Sequence, residues 1–321
     1  MRYTRLGPAG PVVSAIGLGS LALCGAYGPV DHDEAGRLIR RALDAGVTLL
    51  DTADFYAAGE VESLIGRALA GRADQVVVAT RGGVRLDDPA GPLVFDADPD
   101  HLERSCDASL RRLRTDCIDL YYLHCRDDRV PLEASMARLS ELVMAGKIRH
   151  LGLSGGTPEQ IKRAHAVHEL CAVGVEYSLW GPPPSSVLLD TARELNLAVV
   201  AARPLGRGFL AGRMRQQDQL APGDWRHADP RFRPEHRRVA DRRLRALETV
   251  ASQLDLGTGR LALSWLFSQG EHVVPVPSTR DQVHLEMNLA AASVRLPPHV
   301  LDMLAGPLPA GHYAQSPSAL V

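Results

Sequence analysis

Four polar residues, Asp51, Tyr56, Arg81 and His124, stand at or just past the ends of apolar stretches, and their types together can handle a proton. A tyrosine hydroxyl titrates at about pH 10 in water, too high to exchange protons freely at neutral pH. A neighbouring cation stabilises the phenolate and lowers that value, so Arg81 would make Tyr56 a usable acid or base. Asp51 can hold Arg81 in place through a charged pair. His124 can donate a hydrogen bond to an oxygen on which charge develops. Taken alone, His124 reads equally well as a satisfied core histidine; in this company it reads as a site residue.

Such residues need a frame that gathers them. Apolar, β-branched runs recur at residues 15–19, 47–50, 76–79, 118–123, 148–153, 173–177, 197–201 and 273–276. Continuous runs of this kind fit strands covered on both faces, as in a parallel sheet. Between them, residues 33–45, 60–70, 99–113, 132–145, 158–168, 186–195 and 259–268 carry a helical period. Cap signals support several of these, such as Asp98 before Pro99 and Thr157 before Pro158. Strand alternating with helix through eight repeats predicts an α/β fold, a (β/α)8 TIM barrel, because crossovers of one hand close the sheet on itself.

Reacting groups on a barrel sit at the C-terminal ends of its strands. Here those ends carry Ser20, Asp51, Arg81, His124, Ser154, Glu176, Arg203 and Ser278, with Tyr56 in the loop after the second strand. Packing alone does not favour ions at such positions. Trp180 and prolines 182–184 follow the sixth strand and are expected to wall the pocket.

The whole chain, residues 1–321, reads as one domain with three appendages. Residues 1–14 form an N-terminal β-hairpin that can cap the barrel floor, and residues 204–237 form a long aperiodic loop after the seventh strand. Residues 307–321, rich in Pro, Ala and Ser, are a C-terminal tail. A connection as long as 204–237 is usually functional, so a cofactor or lid role is weighed against a plain solvated loop.

Composition narrows the class. With 45% hydrophobic and 23% charged residues, the chain is an ordinary globular one, and a net charge of −2 implies neither nucleic acid nor an anionic membrane as partner. Five cysteines without a CxxC pair argue for a reducing compartment, and the opening residues lack the apolar run of a signal peptide. The expectation is a cytoplasmic protein with a small-molecule substrate and no metal. Its oligomeric state is left open.

At the site residues the chain resembles the aldo-keto reductase superfamily, almost end to end. The resemblance rests on GLGS at residues 17–20, LLDTADFY at 49–56, IDLYYLH at 118–124 and GKIRHLGLS at 146–154. It continues with EYSLW at 176–180, RPLGRGFLAG at 203–212, and VVPVPSTR at 273–280 followed by Asn288. The resemblance implies a barrel that binds NADP(H) without a GxGxxG loop, and passes a hydride to a carbonyl whose oxygen a tyrosine protonates. By motif, Asp51, Tyr56 and His124 match three catalytic positions, and Arg81 stands where the family usually has a lysine. Arginine keeps the charge but cannot relay a proton as lysine can. Cofactor-binding positions carried over are Ser20, Ser154, Leu205, Gly206, Gly208, Ser278, Thr279, Arg280 and Asn288.

The nicotinamide end departs from the family. Gly174 replaces a glutamine, Gly155 a polar neighbour of the carboxamide, and Ala202 a stacking tyrosine. Near the adenosine, basic residues are reduced to Arg280, and Asp281 beside it would repel an anion. The implied function is NADP(H)-dependent reduction of an aldehyde or ketone, with Tyr56 as general acid. The alternative is a non-redox acid–base enzyme (a dehydratase, epimerase or cyclase) that has lost normal nicotinamide binding. A binding protein without catalysis fits the intact Asp51–Tyr56–His124 set least.

Overall fold

The computed structural model describes residues 1–87, 93–125, 127–181, 183–212, 220 and 224–305. The chain opens with the antiparallel pair β1 (Tyr3–Arg5) and β2 (Val12–Ser14). The barrel begins with β3 (Leu18–Gly19), α1 (His32–Asp44), β4 (Leu49–Asp51), α2 (Glu60–Ala68) and β5 (Val77–Gly82). A short ribbon, β6 (Val84–Arg85) and β7 (Val94–Phe95), precedes α3 (Pro99–Leu113). Then follow β8 (Ile118–His124), α4 (Leu132–Met144), β9 (Ile148–Ser154), α5 (Pro158–Val167), β10 (Leu170–Glu176), α6 (Ser186–Glu194) and β11 (Ala198–Ala202). The remainder is α7 (Pro234–Gln253), α8 (Thr258–Phe267), β12 (Val273–Pro275), α9 (Gln282–Ala290) and α10 (Pro298–Ala305).

Eight strands pair in parallel in the order β12-β11-β10-β9-β8-β5-β4-β3. Closure comes from the amides of Gly17 and Gly19, which donate to Pro275 O and Pro277 O at 3.0 Å, and from a parallel bridge between Gly19 and Ser278. That close approach requires glycine: a Cβ on Gly19 would lie 2.6 Å from the Val276 carbonyl oxygen. The expected (β/α)8 barrel is the fold.

Period two decides what faces inward. Leu49, Ala79, Leu120, Tyr122, Ala172, Val200 and Val274 fill the interior, together with Leu6 and Val13 from the hairpin. The hairpin therefore plugs the floor, as expected, with Gly7 tucked against the backbone of Cys171. One step beyond Leu49, Ala79 and Tyr122 along the same inward faces come Asp51, Arg81 and His124.

Helix starts follow the cap chemistry. The Asp98 carboxylate accepts from the amides of Asp100 and His101 at 3.1 and 3.0 Å, with Pro99 opening α3. Thr157 and Gln160 form a reciprocal capping box at α5. The Asp281 carboxylate accepts from His284 N at 2.9 Å and caps α9.

The segment 204–237 is not wholly aperiodic. Tight 3-10 turns occupy Gly206–Ala211, Trp225–Ala228 and Pro230–Phe232, and α7 begins at Pro234. Helix α7 was foreseen only as a solvated helix face, and α9 and α10 were not expected. The first is rich in arginine, and its apolar stripe (Ala240, Leu244, Leu247, Val250, Ala251) becomes apparent against Trp180, Phe209, Leu210 and Leu261. The expected tail, 307–321, lies outside the described residues. No helix among the described residues is long and apolar enough to cross a membrane.

Candidate active site

Arg81, from the inward face of β5, is the centre of the cluster. Its Nη2 donates to Asp51 Oδ1, its Nη1 to Ser154 Oγ at 3.1 Å, and its Nε to Thr52 O at 3.2 Å. Its guanidinium carbon stands 5.3 Å from the centroid of the Tyr122 ring. Three strands thus fix one cation. Burial works against its charge, but Asp51 and Tyr56 outweigh that and hold its pKa up, so Arg81 stays charged.

Tyr56 lies in a tight turn after β4, with Ala57 and Ala58 both in the left-handed region at φ +47° and +52°. Non-glycine residues there store strain, which concentrates at functional sites. Arg203 and Arg207, across the barrel mouth, adopt φ +50° and +60°. Arg81 lowers the Tyr56 pKa as expected, but the net shift is upward. Burial pushes that hydroxyl up to about 12, although Arg81 pulls it down, and Asp51 adds to the rise. Tyr56 is therefore held as a phenol, able to give a proton and slow to take one.

A cavity of about 470 Å³ opens over this cluster. Asp51, Tyr56 and Arg81 line it, as do Ser20, Leu205, Gly208, Ser278, Thr279, Arg280 and Asn288 of the expected cofactor residues. Ser154 is one shell behind, on Arg81. Gly206 is buried against Trp180, where a Cβ would come within 2.9 Å of the indole. Trp180 does not wall the cavity; it stacks on Phe209 at 4.6 Å in the second core, and Pro182 lies outside the described residues.

His124 is buried and faces the barrel interior, yet it lines a smaller neighbouring cavity of about 170 Å³, with Cys125 and Asp127. Its ring lies 5.2 Å from Phe95 and 6.4 Å from Phe55, and Phe55 meets Tyr56 edge-on at 5.0 Å. Phe55 therefore packs on both His124 and Tyr56, a contact that sequence pattern did not reveal.

The opposite wall is an ion cluster. Glu176, at the end of β10, accepts from Arg203 Nη1 at 3.0 Å, from Arg207 Nη2 at 2.9 Å, and from Arg231. Asp229 accepts from Arg207 and, at 3.0 Å, from Arg231 Nη2. Burial opposes ionisation of Glu176, but the three guanidinium groups prevail and hold its pKa far below the usual carboxylate range. The segment pinned in this way crosses to the loop after β3, where Arg226 lies 4.6 Å from the Tyr27 ring and Trp225 meets it at 6.2 Å. Tyr27, Arg226 and Arg260 line the cavity and were missed. The only hint of Tyr27 was its place between Gly25 and Gly28, both at positive φ.

With this geometry in view, the profile of the Aldo/keto reductase family matches residues 15–306. The chain belongs to that family. Its fold and enzyme class, that of an oxidoreductase, follow. The glycerol dehydrogenase AKR11B4 from Gluconobacter oxydans is 30% identical, with a TM-score of 0.85 over 94% of this chain and 93% of its own. A thermostable aldo-keto reductase, Tm1743, solved with the inhibitor epalrestat, is 25% identical, with a TM-score of 0.73 over 95% of this chain and 98% of its own. The aldo-keto reductase AKR11C1 from Bacillus halodurans, in its holo form, shares the fold at 24% identity, with a TM-score of 0.79 over 95% of each chain.

Family membership gives the altered positions a meaning that the geometry can test. A Cβ on Gly174 would make only ordinary contacts at 3.8 Å, and one on Gly155 would meet nothing within 4 Å. Neither position is on the lining of the large cavity. Among the described residues no group of three or more His, Cys, Asp or Glu side chains could hold a metal.

Proposed function

We propose that the protein is a carbonyl reductase using NADP(H), with Tyr56 as general acid toward an aldehyde or ketone. The carrying observation is that Tyr56, a buried phenol beside a clamped cation, opens onto a cavity lined with arginine. The cavity's size is within the range of small-molecule sites. Its donor set suits a phosphate-bearing dinucleotide: Arg280, Ser278, Thr279 and Asn288 at one end, and Arg207 with the backbone of Gly208 along one side. The Ser20 hydroxyl is buried on the lining and has no partner among the described residues, as expected of a ligand-binding group.

When bound, the dinucleotide supplies a hydride. Tyr56 supplies the proton to the carbonyl oxygen. Arg81 and Asp51 fix the field around that hydroxyl, with the positive end toward the developing negative charge. Arg81 does not give up its proton, so it cannot refill Tyr56. A route through solvent in the cavity is left for reprotonation.

Consumption of NADPH with a panel of aldehydes and ketones tests this reading. The Tyr56→Phe variant should lose about 10²- to 10⁴-fold in turnover with cofactor binding unchanged. Unchanged turnover in that variant would remove Tyr56 from the chemistry. A second reading, acid–base catalysis without redox, draws on the space left at Gly155, Gly174 and Ala202. It requires Tyr56-dependent turnover in protein that binds no nicotinamide.

A further inference from the structure

We infer that Arg203 makes this site discriminate between the redox forms of the dinucleotide, holding the reduced form more tightly than the oxidised one. The inference rests on the proposed function and adds to it a specificity of the same cavity.

The lining is one-sided in charge. Arg81, Arg203, Arg207, Arg226, Arg260 and Arg280 face the cavity, and among the described lining residues the sole carboxylate is Asp51, which closes on Arg81. The carboxylates that anchor Arg203, Arg207 and Arg226, namely Glu176, Asp229 and Asp224, are not on the lining. Arg203, Arg207 and Arg226 thus add positive charge at the lining while their paired carboxylates lie off it.

After Arg81, Arg203 is the member of this set whose charge bears most on the Tyr56 hydroxyl. It follows Ala202, where the family's ring-stacking residue is absent. Its backbone is left-handed at φ +50°, its side chain is 8% exposed, and Glu176 Oε2 and the Trp225 ring, 5.9 Å away, hold the guanidinium. Such a group does not swing aside as a surface arginine would. Its charge reaches the Tyr56 hydroxyl, whose pKa burial raises and which Arg81 and, more weakly, Arg203 lower.

Reaction geometry then locates the nicotinamide relative to that charge. A carbonyl protonated by Tyr56 has its oxygen within hydrogen-bond reach of the hydroxyl, and the hydride donor must touch the adjoining carbon. The ring therefore sits in the field of Arg203. Loss of the hydride changes the ring from neutral to a cation and leaves the phosphates, sugars and adenine alone. Only the potential at the ring separates the two forms, and in a water-poor site that potential is weakly screened. The carboxylate paired with Arg203, Glu176, lies off the lining, and Ala202, Gly174 and Gly155 add none.

The test is direct binding, by fluorescence or heat, of NADPH, NADP+, NADH and NAD+ to the intact protein. The expected result is at least tenfold tighter binding of each reduced form, with the same ratio for both pairs, because the 2′-phosphate plays no part. A tenfold ratio raises the potential of the bound couple by about 30 mV, an independent readout. Arg203→Gln should bring the ratio to about threefold or less, Arg203→Lys should retain it, and Arg280→Gln should weaken both forms equally. Equal affinities in the wild type overturn the inference and leave the proposed function intact. A ratio unchanged in Arg203→Gln overturns the assignment to Arg203. Absence of binding by all four dinucleotides removes the proposed function and this inference together.

Discussion

The two walls of the cavity are both built from arginine and carboxylate, yet they are made differently. The Asp51–Arg81 pair joins two adjacent strands, and a third partner, Ser154, comes from β9. The Glu176 cluster joins one strand end to a loop, across sequence separations of 31 and 55 residues to Arg207 and Arg231. The first is almost wholly buried, while Glu176 keeps 28% of its side chain exposed. The strand-borne pair is a fixed electrostatic setting for one hydroxyl. The loop-borne cluster holds a segment over the mouth and turns positive charge toward whatever enters.

Removing one member of the strand pair is the harshest way to break this comparison. Arg81→Met leaves Asp51 as an uncompensated buried charge and should cost about 3–5 kcal/mol of stability in denaturant unfolding. A loss as small as that of a surface substitution would show that the pair is hydrated and not part of a fixed setting.

The next effect is on pH dependence. With the Tyr56 hydroxyl pushed up to about 12, its protonated form persists through neutral and moderately alkaline pH. Reduction should run at a nearly constant rate from pH 7 to about 10, and alcohol oxidation, which needs the phenolate, should rise about tenfold per pH unit. A plateau of the oxidation rate near pH 8 would mean that the cation, not burial, governs Tyr56.

How far this was legible in the sequence follows the same division. Asp51, Arg81, Ser154 and Glu176 were readable because apolar runs of fixed period ended on them, and strand ends of a barrel share one face. The Tyr56 pKa was misjudged because sequence shows the cation but not the depth of burial that opposes it. His124 was placed on the right face, but its smaller cavity and the Phe55 contact depend on side-chain packing. Tyr27, Trp225 and Arg226 were illegible because their positions depend on ring and cation–ring contacts between distant segments, and helix α7 was obscured by its many arginines.

Loosening the loop-borne wall is a milder perturbation. Glu176→Gln removes a charged partner of three arginines and should cost about 1–3 kcal/mol of stability while weakening dinucleotide binding more than it slows turnover. A fall in turnover at unchanged binding would place Glu176 in the chemistry instead. The wild type should show the linked pH effect: the Glu176 pKa is depressed in the folded state, so its contribution is present above the ordinary glutamate range and lost as pH falls below it.

The smallest expected change adds a side chain at Gly174. A Cβ at Gly174 meets nothing closer than 3.8 Å, and Gly174→Gln should tighten nicotinamide binding several-fold, by about 1 kcal/mol. Weaker binding would show the space there to be occupied by substrate.

The central claim, that the arginine-lined cavity over Tyr56 is a dinucleotide site, is tested most directly by titrating NADPH into the pure protein. The account predicts saturable quenching or transfer fluorescence well below millimolar concentration, with one dinucleotide per chain. A flat titration, with neither fluorescence change nor heat up to millimolar NADPH, would contradict it.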